Sequence, residues 1–384
     1  MSYIPALRKK STPGDRRVYI FSYGESILLI EVYLVKALIL SGGSGTRLRP
    51  LTFSQQKQLI PIANKPVLFY AIEDVIEAGA DEIGIILGPN KEQVIDTVES
   101  RSWDVPIHFI YQGDPKGLAH TILVAQEFLD DDLIMYLGDN ILRDGIVHHK
   151  EKFQELKSDA SVLLTRVEDP QRFGVADLNP DGSIKRLVEK PKVPPSNYAL
   201  VGVYFFRPSI IEACRAIKPS WRDELEITDA IQWLIEHGYK VDASFVEGWW
   251  KDTGKPEDIL EANRLILDDI SASNEGQINE SHVIGRIIIE KGCLIERSTI
   301  KGPCIIGKGS VISDCYIGPY TSVGDGSRIT GTEVEDTIIM DNCMISKAGK
   351  IVESLIGRNV RIQEGIALPK GNRFIVGDNS EISL

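Results

Sequence analysis

Cysteine is scarce in this chain, with five in 384 residues: Cys214, Cys293, Cys304, Cys315 and Cys343. The odd count, with no C-x-x-C pair and no matching histidine run, argues against a disulfide framework and a zinc site and favours a reducing cytoplasm. Positive charge is also in deficit. Lys plus Arg number 43 against 55 Asp plus Glu, a net charge of -12. That balance excludes a broad basic surface for nucleic acid, and any anionic ligand must be met locally. Long apolar runs are missing too. No stretch reaches the ~20 residues a membrane helix requires, and the nearest, Ile27 to Leu40, is broken by Glu31 and Lys36. Arg16 and Arg17 stand ahead of it as in a secretory signal, but Gly24, Glu25 and Glu31 interrupt the apolar region. Neither export nor a membrane partner is expected.

What is present is globular material, 43% hydrophobic and 26% charged, long enough for two or three domains of roughly 150 residues. From Lys36 to about Ile270 short apolar runs alternate with amphipathic segments. Lys36 to Leu40, Glu82 to Leu87, Ile107 to Tyr111, Leu133 to Leu137 and Ser161 to Arg166 read as strands. Val67 to Ala78, Glu92 to Arg101, Leu118 to Leu129 and Ile146 to Leu156 read as helices. This alternation predicts a mostly parallel sheet covered on both faces, with ligands at the carboxyl ends of the strands. The loops Ser41 to Gly45 and Gly138 to Asn140 fall at two such ends.

Composition then shifts. Residues 271–384 hold 15 of the 33 glycines, 21 isoleucines and three alanines, which disfavours helices and favours short turns between β steps. Aliphatic residues at Ile289, Ile295, Ile300, Ile306, Ile312, Ile317, Val323 and Ile329 are spaced 6, 5, 6, 6, 5, 6 and 6 apart, so three steps span 17 residues. Three near-hexapeptide steps per turn predict a parallel β-helix, each inward aliphatic stacking on its counterpart one coil away. The expected domains are therefore an N-terminal extension over 1–35, an α/β domain over 36–270 and a β-helix over 271–384.

Leu38 to Pro50 reads LILSGGSGTRLRP, a strand followed by a glycine-rich loop. Gly42, Gly43 and Gly45 let the backbone approach a ligand closely and form an amide nest for phosphate oxygens, while Arg47 supplies a guanidinium fork. The string is neither a dinucleotide fingerprint nor a P-loop. After it come Lys57-Gln58-Leu59-Ile60-Pro61 and Asn64-Lys65-Pro66-Val67, the latter opening a helix. Together, G-G-x-G-T-R-L-x-P-x-T, K-Q-L-I-P and N-K-P resemble the sugar-1-phosphate nucleotidylyltransferases, and most of all the long-form glucose-1-phosphate thymidylyltransferases. The resemblance runs from Lys36 through the β-helix and leaves residues 1–35 outside, so these are expected to be dispensable.

The resemblance implies a Rossmann-like mixed sheet followed by a left-handed parallel β-helix. Leu137-Gly138-Asp139-Asn140 ends a strand, and Trp250-Lys251-Asp252-Thr253-Gly254 offers a second carboxylate. A strand-end Asp alone is more often a helix cap, but Asp139 and Asp252 each match a family motif and are the implied ligands of Mg²⁺, which leans on carboxylates, water and substrate phosphates. The implied catalytic residues are Arg47, Lys57, Asp139 and Lys190. Nucleotide contacts are implied for Leu40, Gly42, Gly43, Gly45, Thr46, Arg47, Gln58, Gln112, Gly117 and Asp139. Gln112, in Tyr111 to Ala119, carries a donor and an acceptor suited to the imide edge of thymine or uracil, and Gly117 is expected to leave room for the ring. Sugar-phosphate contacts are implied for Asn140, Gly174, Glu189, Lys190, Val201, Tyr204, Arg222 and Trp250. Val201 to Tyr204 would wall the sugar ring, and Arg222 would reach phosphate.

The implied reaction joins glucose 1-phosphate and dTTP into dTDP-glucose and pyrophosphate. Its nucleophile is already an anion, so no base is sought among the six histidines. The rivals are a UTP-using relative, a bifunctional enzyme with an acetyltransferase β-helix, and a non-enzymatic regulatory homologue. Arg47, Lys57, Asp139, Lys190 and Asp252 are all present, against the last. The only histidine after residue 270 is His282, against acetyl transfer. A homo-oligomer assembled through the β-helix is expected.

Overall fold

The computed structural model of the chain describes residues 17–23, 26–32, 34–43, 45–89 and 91–365. Contacts divide it into two compact units that meet in sequence between Leu265 and Ile266. The far end of the expected β-helix, 366–384, lies outside the described residues, as do residues 1–16. Arg17–Tyr23 and Ser26–Val32 form an antiparallel two-stranded hairpin of their own.

The first unit is built on β1 (Val35–Ser41), β2 (Glu82–Leu87), β3 (Ile107–Tyr111) and β4 (Asp132–Leu137), all parallel, in the spatial order β3-β2-β1-β4. Every residue of β1 is buried, because alternate side chains serve opposite faces. Ala37 and Ile39 join one apolar cluster with α1 (Val67–Glu77), α2 (Lys91–Glu99) and α4 (Val147–Leu156); Leu38 and Leu40 join the other with α3 (Leu118–Val124), α5 (Ser209–Ala216) and α6 (Ile227–Glu236). The chain runs outward from β1 to β3, then returns to the other side as β4. A switch point therefore opens beyond the carboxyl ends of β1 and β4, where open α/β sheets bind ligands.

The sheet is mixed, as the resemblance implied, where the strand and helix alternation alone pointed to a mostly parallel one: β6 (Ala160–Arg166) and β4 both run antiparallel to β9 (Tyr198–Phe206), and β7 (Gly174–Leu178) and β8 (Ile184–Glu189) form a hairpin on its far edge. The turn between β7 and β8 is too short for a parallel crossover, so antiparallel pairing is forced. Helix α3 also stops at Val124 rather than Leu129. The chain beyond it turns, and Lys36 binds there, donating to the Phe128 carbonyl at 2.8 Å and pairing with Asp130 at 2.6 Å.

The second unit is a left-handed parallel β-helix. Its inward residues stack in three columns, Ile289–Ile306–Val323–Ile339–Ile356, Ile278–Ile295–Ile312–Ile329–Ile345–Ile362 and Val283–Ile300–Ile317–Val334–Ile351. Corners are closed by small polar side chains that accept a hydrogen bond from the next coil's backbone. Ser298 Oγ takes Cys315 N–H at 3.0 Å, Ser327 Oγ takes Cys343 N–H at 3.1 Å, and Thr337 Oγ1 takes Ser354 N–H at 3.3 Å. The four cysteines of this unit occupy the same corner rows, Cys304 one coil before Thr321 and Cys315 one coil after Ser298. All five cysteines are free and buried, and burial pushes the thiols of Cys214 and Cys304 up to about 12.

Candidate active site

Glycine shapes the loop beyond β1. Gly45 has φ 58°, and a β-carbon there would meet Thr52 Cγ2 at 2.9 Å and Lys57 Cβ at 3.0 Å, so only glycine brings the loop down onto Lys57. Thr52 Oγ1 holds the turn by donating to Gly45 O at 2.7 Å. A β-carbon on Gly42 would lie 3.3 Å from Gln112 Oε1, and one on Gly43 3.8 Å from Gln58 Nε2. Both amides therefore border the loop. Gln58 is buried and its Oε1 has no hydrogen-bond partner, an acceptor of the kind a bound ligand satisfies. Thr46 and Arg47 are exposed in the short turn that follows, and Leu40 is buried at the end of β1. Gly88, which the sequence reading passed over, belongs here: a β-carbon on it would lie 2.7 Å from Gly42 O. A lone glycine after a strand carries no signal that it faces another loop.

The second loop follows β4. Strand β5 (Asn140–Leu142) pairs antiparallel with β11 (Trp250–Asp252), Asp252 opposite Asn140. This ribbon sets a carboxylate from far along the chain beside Asp139. Thr253 locks the join, its backbone N–H and its Oγ1 both donating to Asp139 O, at 3.0 and 2.8 Å. Lys57, almost wholly buried, forms an ion pair with Asp139 and lies 3.9 Å from Asp252 Oδ1. The Arg47 guanidinium reaches the same place: a β-carbon on Gly254 would meet Arg47 NH2 and Asp252 Oδ2, each at 3.0 Å.

The electrostatics follow from this crowding. Burial disfavours the Lys57 ammonium, but Asp139 and Asp252 outweigh it and hold its pKa above the usual value. Burial likewise disfavours ionised Asp139, but Lys57 beside it wins and the carboxyl is held low. Asp252 has the weaker share of the cation. Burial, then repulsion from Asp139, push it up to about 6 against Lys57 and Arg47. Two carboxylates with only one of them well neutralised form a hard-oxygen site with room for more positive charge, a donor set that fits Mg²⁺ completed by water and substrate phosphate. Among the described residues no group of three or more His, Cys, Asp or Glu could hold a metal.

A hydrogen-bonded path joins this pair to the β7–β8 hairpin. Asn140 Nδ2 donates to Asp139 Oδ1 at 3.0 Å, Trp250 Nε1 donates to Asn140 Oδ1 at 2.6 Å, and the Trp250 ring meets Phe173 edge-on at 5.3 Å. Phe173 O in turn accepts from Lys190 N at 3.0 Å. Gly174 lies opposite Glu189 in the hairpin, and a β-carbon there would stand 3.1 Å from Glu189 Oε2. Lys190 Nζ lies 3.5 Å from Glu189 Oε1.

Burial and close contacts bear on three implied roles. The Val201 side chain is fully buried in the core with Tyr136 and Phe205, and Tyr204 is buried and stacked on Phe206, so neither side chain offers the sugar-ring wall expected of it. Arg222 is held by three carboxylates, Glu224 at 3.0 Å, Glu226 at 3.3 Å and Glu189 at 3.7 Å. Gly117, at φ 98°, is required because the Leu225 backbone presses against it, the amide nitrogen 2.7 Å from any β-carbon; the space is not kept for a base. Gln112 remains beside the loop, its Nε2 3.3 Å from His120 Nδ1.

A β3-β2-β1-β4 sheet whose switch point gathers a glycine loop, a buried lysine and two carboxylates defines an α/β protein that handles phosphates. The comparisons sharpen this. The Nucleotidyl transferase family model matches residues 36–269. The low-salt glycan biosynthesis nucleotidyltransferase Agl11 of Haloferax volcanii is 49% identical over 357 residues, 91% of this chain and 100% of that protein. A glucose-1-phosphate thymidylyltransferase of Streptomyces antibioticus is 48% identical over 354 residues, 91% of this chain and 99% of that protein. A Bacillus anthracis structure solved as a candidate glucose-1-phosphate thymidylyltransferase superposes with TM-score 0.57 at 34% identity, covering 62% of this chain and 98% of its own. The chain belongs to the nucleotidyl transferase family, as one of its sugar-1-phosphate nucleotidyltransferases.

Proposed function

We propose that the protein transfers a thymidylyl group from dTTP to glucose 1-phosphate. A phosphate oxygen of the sugar phosphate attacks the α-phosphorus of dTTP; the bond from that phosphorus to the β-phosphate bridge breaks, and pyrophosphate leaves with its electron pair. The observation that carries this reading is the meeting of Asp139 and Asp252 with Lys57 and Arg47 beyond the end of β1. The attacking phosphate is largely ionised near neutral pH, its second pKa being about 6, so positioning and charge stabilisation are the work required.

The glycine loop receives the triphosphate, and Arg47, exposed above it, stabilises the departing pyrophosphate with Lys57. Glu189 receives sugar hydroxyls and Lys190 the sugar phosphate. Arg222, fixed among Glu189, Glu224 and Glu226, orients Glu189. Asp139 and Asp252 would hold Mg²⁺, which when bound supplies charge to the phosphate oxygens of both substrates. Gln112 reads the imide edge. Because that edge is common to thymine and uracil, and Gly117 is occupied by the Leu225 backbone, UTP is expected as a second substrate.

We further infer the domain division 36–270 and 271–384, a cytoplasmic location, no nucleic-acid or membrane partner, no acetyl transfer, and a homo-oligomer. The first coil leaves Val283 and Ile284 exposed, apolar surface suited to contact between copies. The test of the activity is pyrophosphate release from the purified protein, with each of four common sugar 1-phosphates crossed with dTTP, UTP, GTP and ATP. Release is expected first with glucose 1-phosphate and dTTP; preference for a purine nucleotide would overturn the reading.

A further inference from the structure

A glycine loop can offer amides to phosphate only if its carbonyls are held elsewhere. Gln56 holds two of them. It is 4% exposed, and its side-chain nitrogen donates to Ser41 O at 3.0 Å and to Gly43 O at 2.9 Å. Only the NH₂ end of the amide can serve two carbonyls, so its orientation is fixed by chemistry. The C=O and N–H of a trans peptide point to opposite sides in one plane. A Ser41 carbonyl aimed at Gln56 therefore aims the Gly42 N–H away from it.

Gln56 is itself tethered to α2. Its backbone N–H donates to Gln93 Oε1 at 3.0 Å, and Gln93 Nε2 donates to Ser54 O at 2.9 Å. Beside this network, Ser41 Oγ and Gln58 Oε1 are buried without a hydrogen-bond partner. Gln56 thus spends both its donors on the loop, while the Gln58 carbonyl oxygen, an acceptor, and the Ser41 hydroxyl at the loop's base stay open. Gln56 lies outside the glycine-loop string and the Lys57 to Pro61 string.

We propose that Gln56, tethered by Gln93, is a positioning residue that presets the glycine loop for the nucleotide triphosphate without touching substrate. The inference rests on the reading of that loop as the triphosphate cradle. The test compares Gln56→Met, which keeps the volume and removes the donors, and Gln93→Ala with the wild type. Affinity for dTTP and UTP is measured by titration calorimetry with Mg²⁺, and KM for each substrate by pyrophosphate release. Gln56→Met is expected to weaken dTTP binding about tenfold, with KM for glucose 1-phosphate changed less than about twofold; Gln93→Ala shows the same split at about two- to fourfold. Unchanged nucleotide affinity in the folded variants, or an equal rise in both KM values, would overturn the proposal. If Gln56→Met does not fold, Gln93→Ala decides by the same criteria. Failure of the wild type to bind either nucleotide would instead remove the cradle reading itself.

Discussion

Asp252 stands opposite Asn140 across a two-stranded ribbon, and this pairing brings its carboxylate beside Asp139. The two acids share Lys57 unequally, and the inequality has consequences for stability as well as activity.

Asp139→Asn and Asp252→Asn should both lower turnover by at least about a hundredfold, yet shift stability in opposite directions. The folded pKa of Asp139 lies below its unfolded value, so its ionised form stabilises the fold above the unfolded pKa and is lost as pH falls through the folded one. Its removal also strands the buried Lys57, and about 3 kcal/mol of destabilisation is expected at neutral pH. Asp252 is raised to about 6. Its charge therefore opposes folding, with a penalty absent below its unfolded pKa, growing through the interval and complete above about 6. Asp252→Asn should stabilise the metal-free protein by about 1 to 3 kcal/mol at neutral pH. Denaturant melts in chelator from pH 4.5 to 8 check this; equal destabilisation by both variants would contradict it.

The same shift bears on the proposed metal site. A proton on Asp252 would compete with Mg²⁺ held there, so the Mg²⁺ concentration giving half-maximal rate should rise as pH falls below about 6. Rates measured across a Mg²⁺ series at pH 5.5 and 7.5 test this, and a pH-independent midpoint would contradict it.

Trp250→Phe keeps a ring against Phe173 but loses the donor to Asn140 Oδ1. One buried hydrogen bond is worth about 1 kcal/mol, so kcat should fall roughly three- to tenfold. Trp250→Ala also removes the ring and should raise KM for the sugar phosphate. Steady-state kinetics of both variants separate the two effects.

Gly88→Ala would place a carbon 2.7 Å from Gly42 O. The resulting shift should destabilise the fold by about 1 to 3 kcal/mol and raise KM for dTTP more than for glucose 1-phosphate. Identical changes in the two KM values would show that Gly88 does not support the nucleotide loop.

Much of this was legible because it repeats or punctuates. The apolar run of β1, buried on both faces, and the 17-residue spacing of Ile289 and Ile306 are direct prints of the packing. Asp139 and Asp252 could be singled out by motif. Their meeting at one Mg²⁺ was implied by the resemblance but not by their spacing, since it depends on a ribbon between segments 110 positions apart. The antiparallel part of the sheet was implied by the resemblance but not by the alternation of strands and helices: the buried run of β9 fits either direction, and its partners decide. Val201 and Tyr204 were placed against the sugar because the sequence does not say that both faces of β9 are core, Val201 packing into one apolar cluster and Tyr204 into the other. The carboxylates around Arg222 could not be read in advance, because they include Glu189, distant in sequence.

The most direct measurement of the central claim is a competition. Wild type and Asp139→Asn are incubated with glucose 1-phosphate, Mg²⁺ and equal concentrations of dTTP and UTP, and the nucleotide sugars are resolved by mass. The wild type is expected to form dTDP-glucose in excess over UDP-glucose, and neither product is expected from Asp139→Asn or from the wild type in chelator. Formation of no nucleotide sugar by the wild type, or undiminished formation by Asp139→Asn, would contradict it.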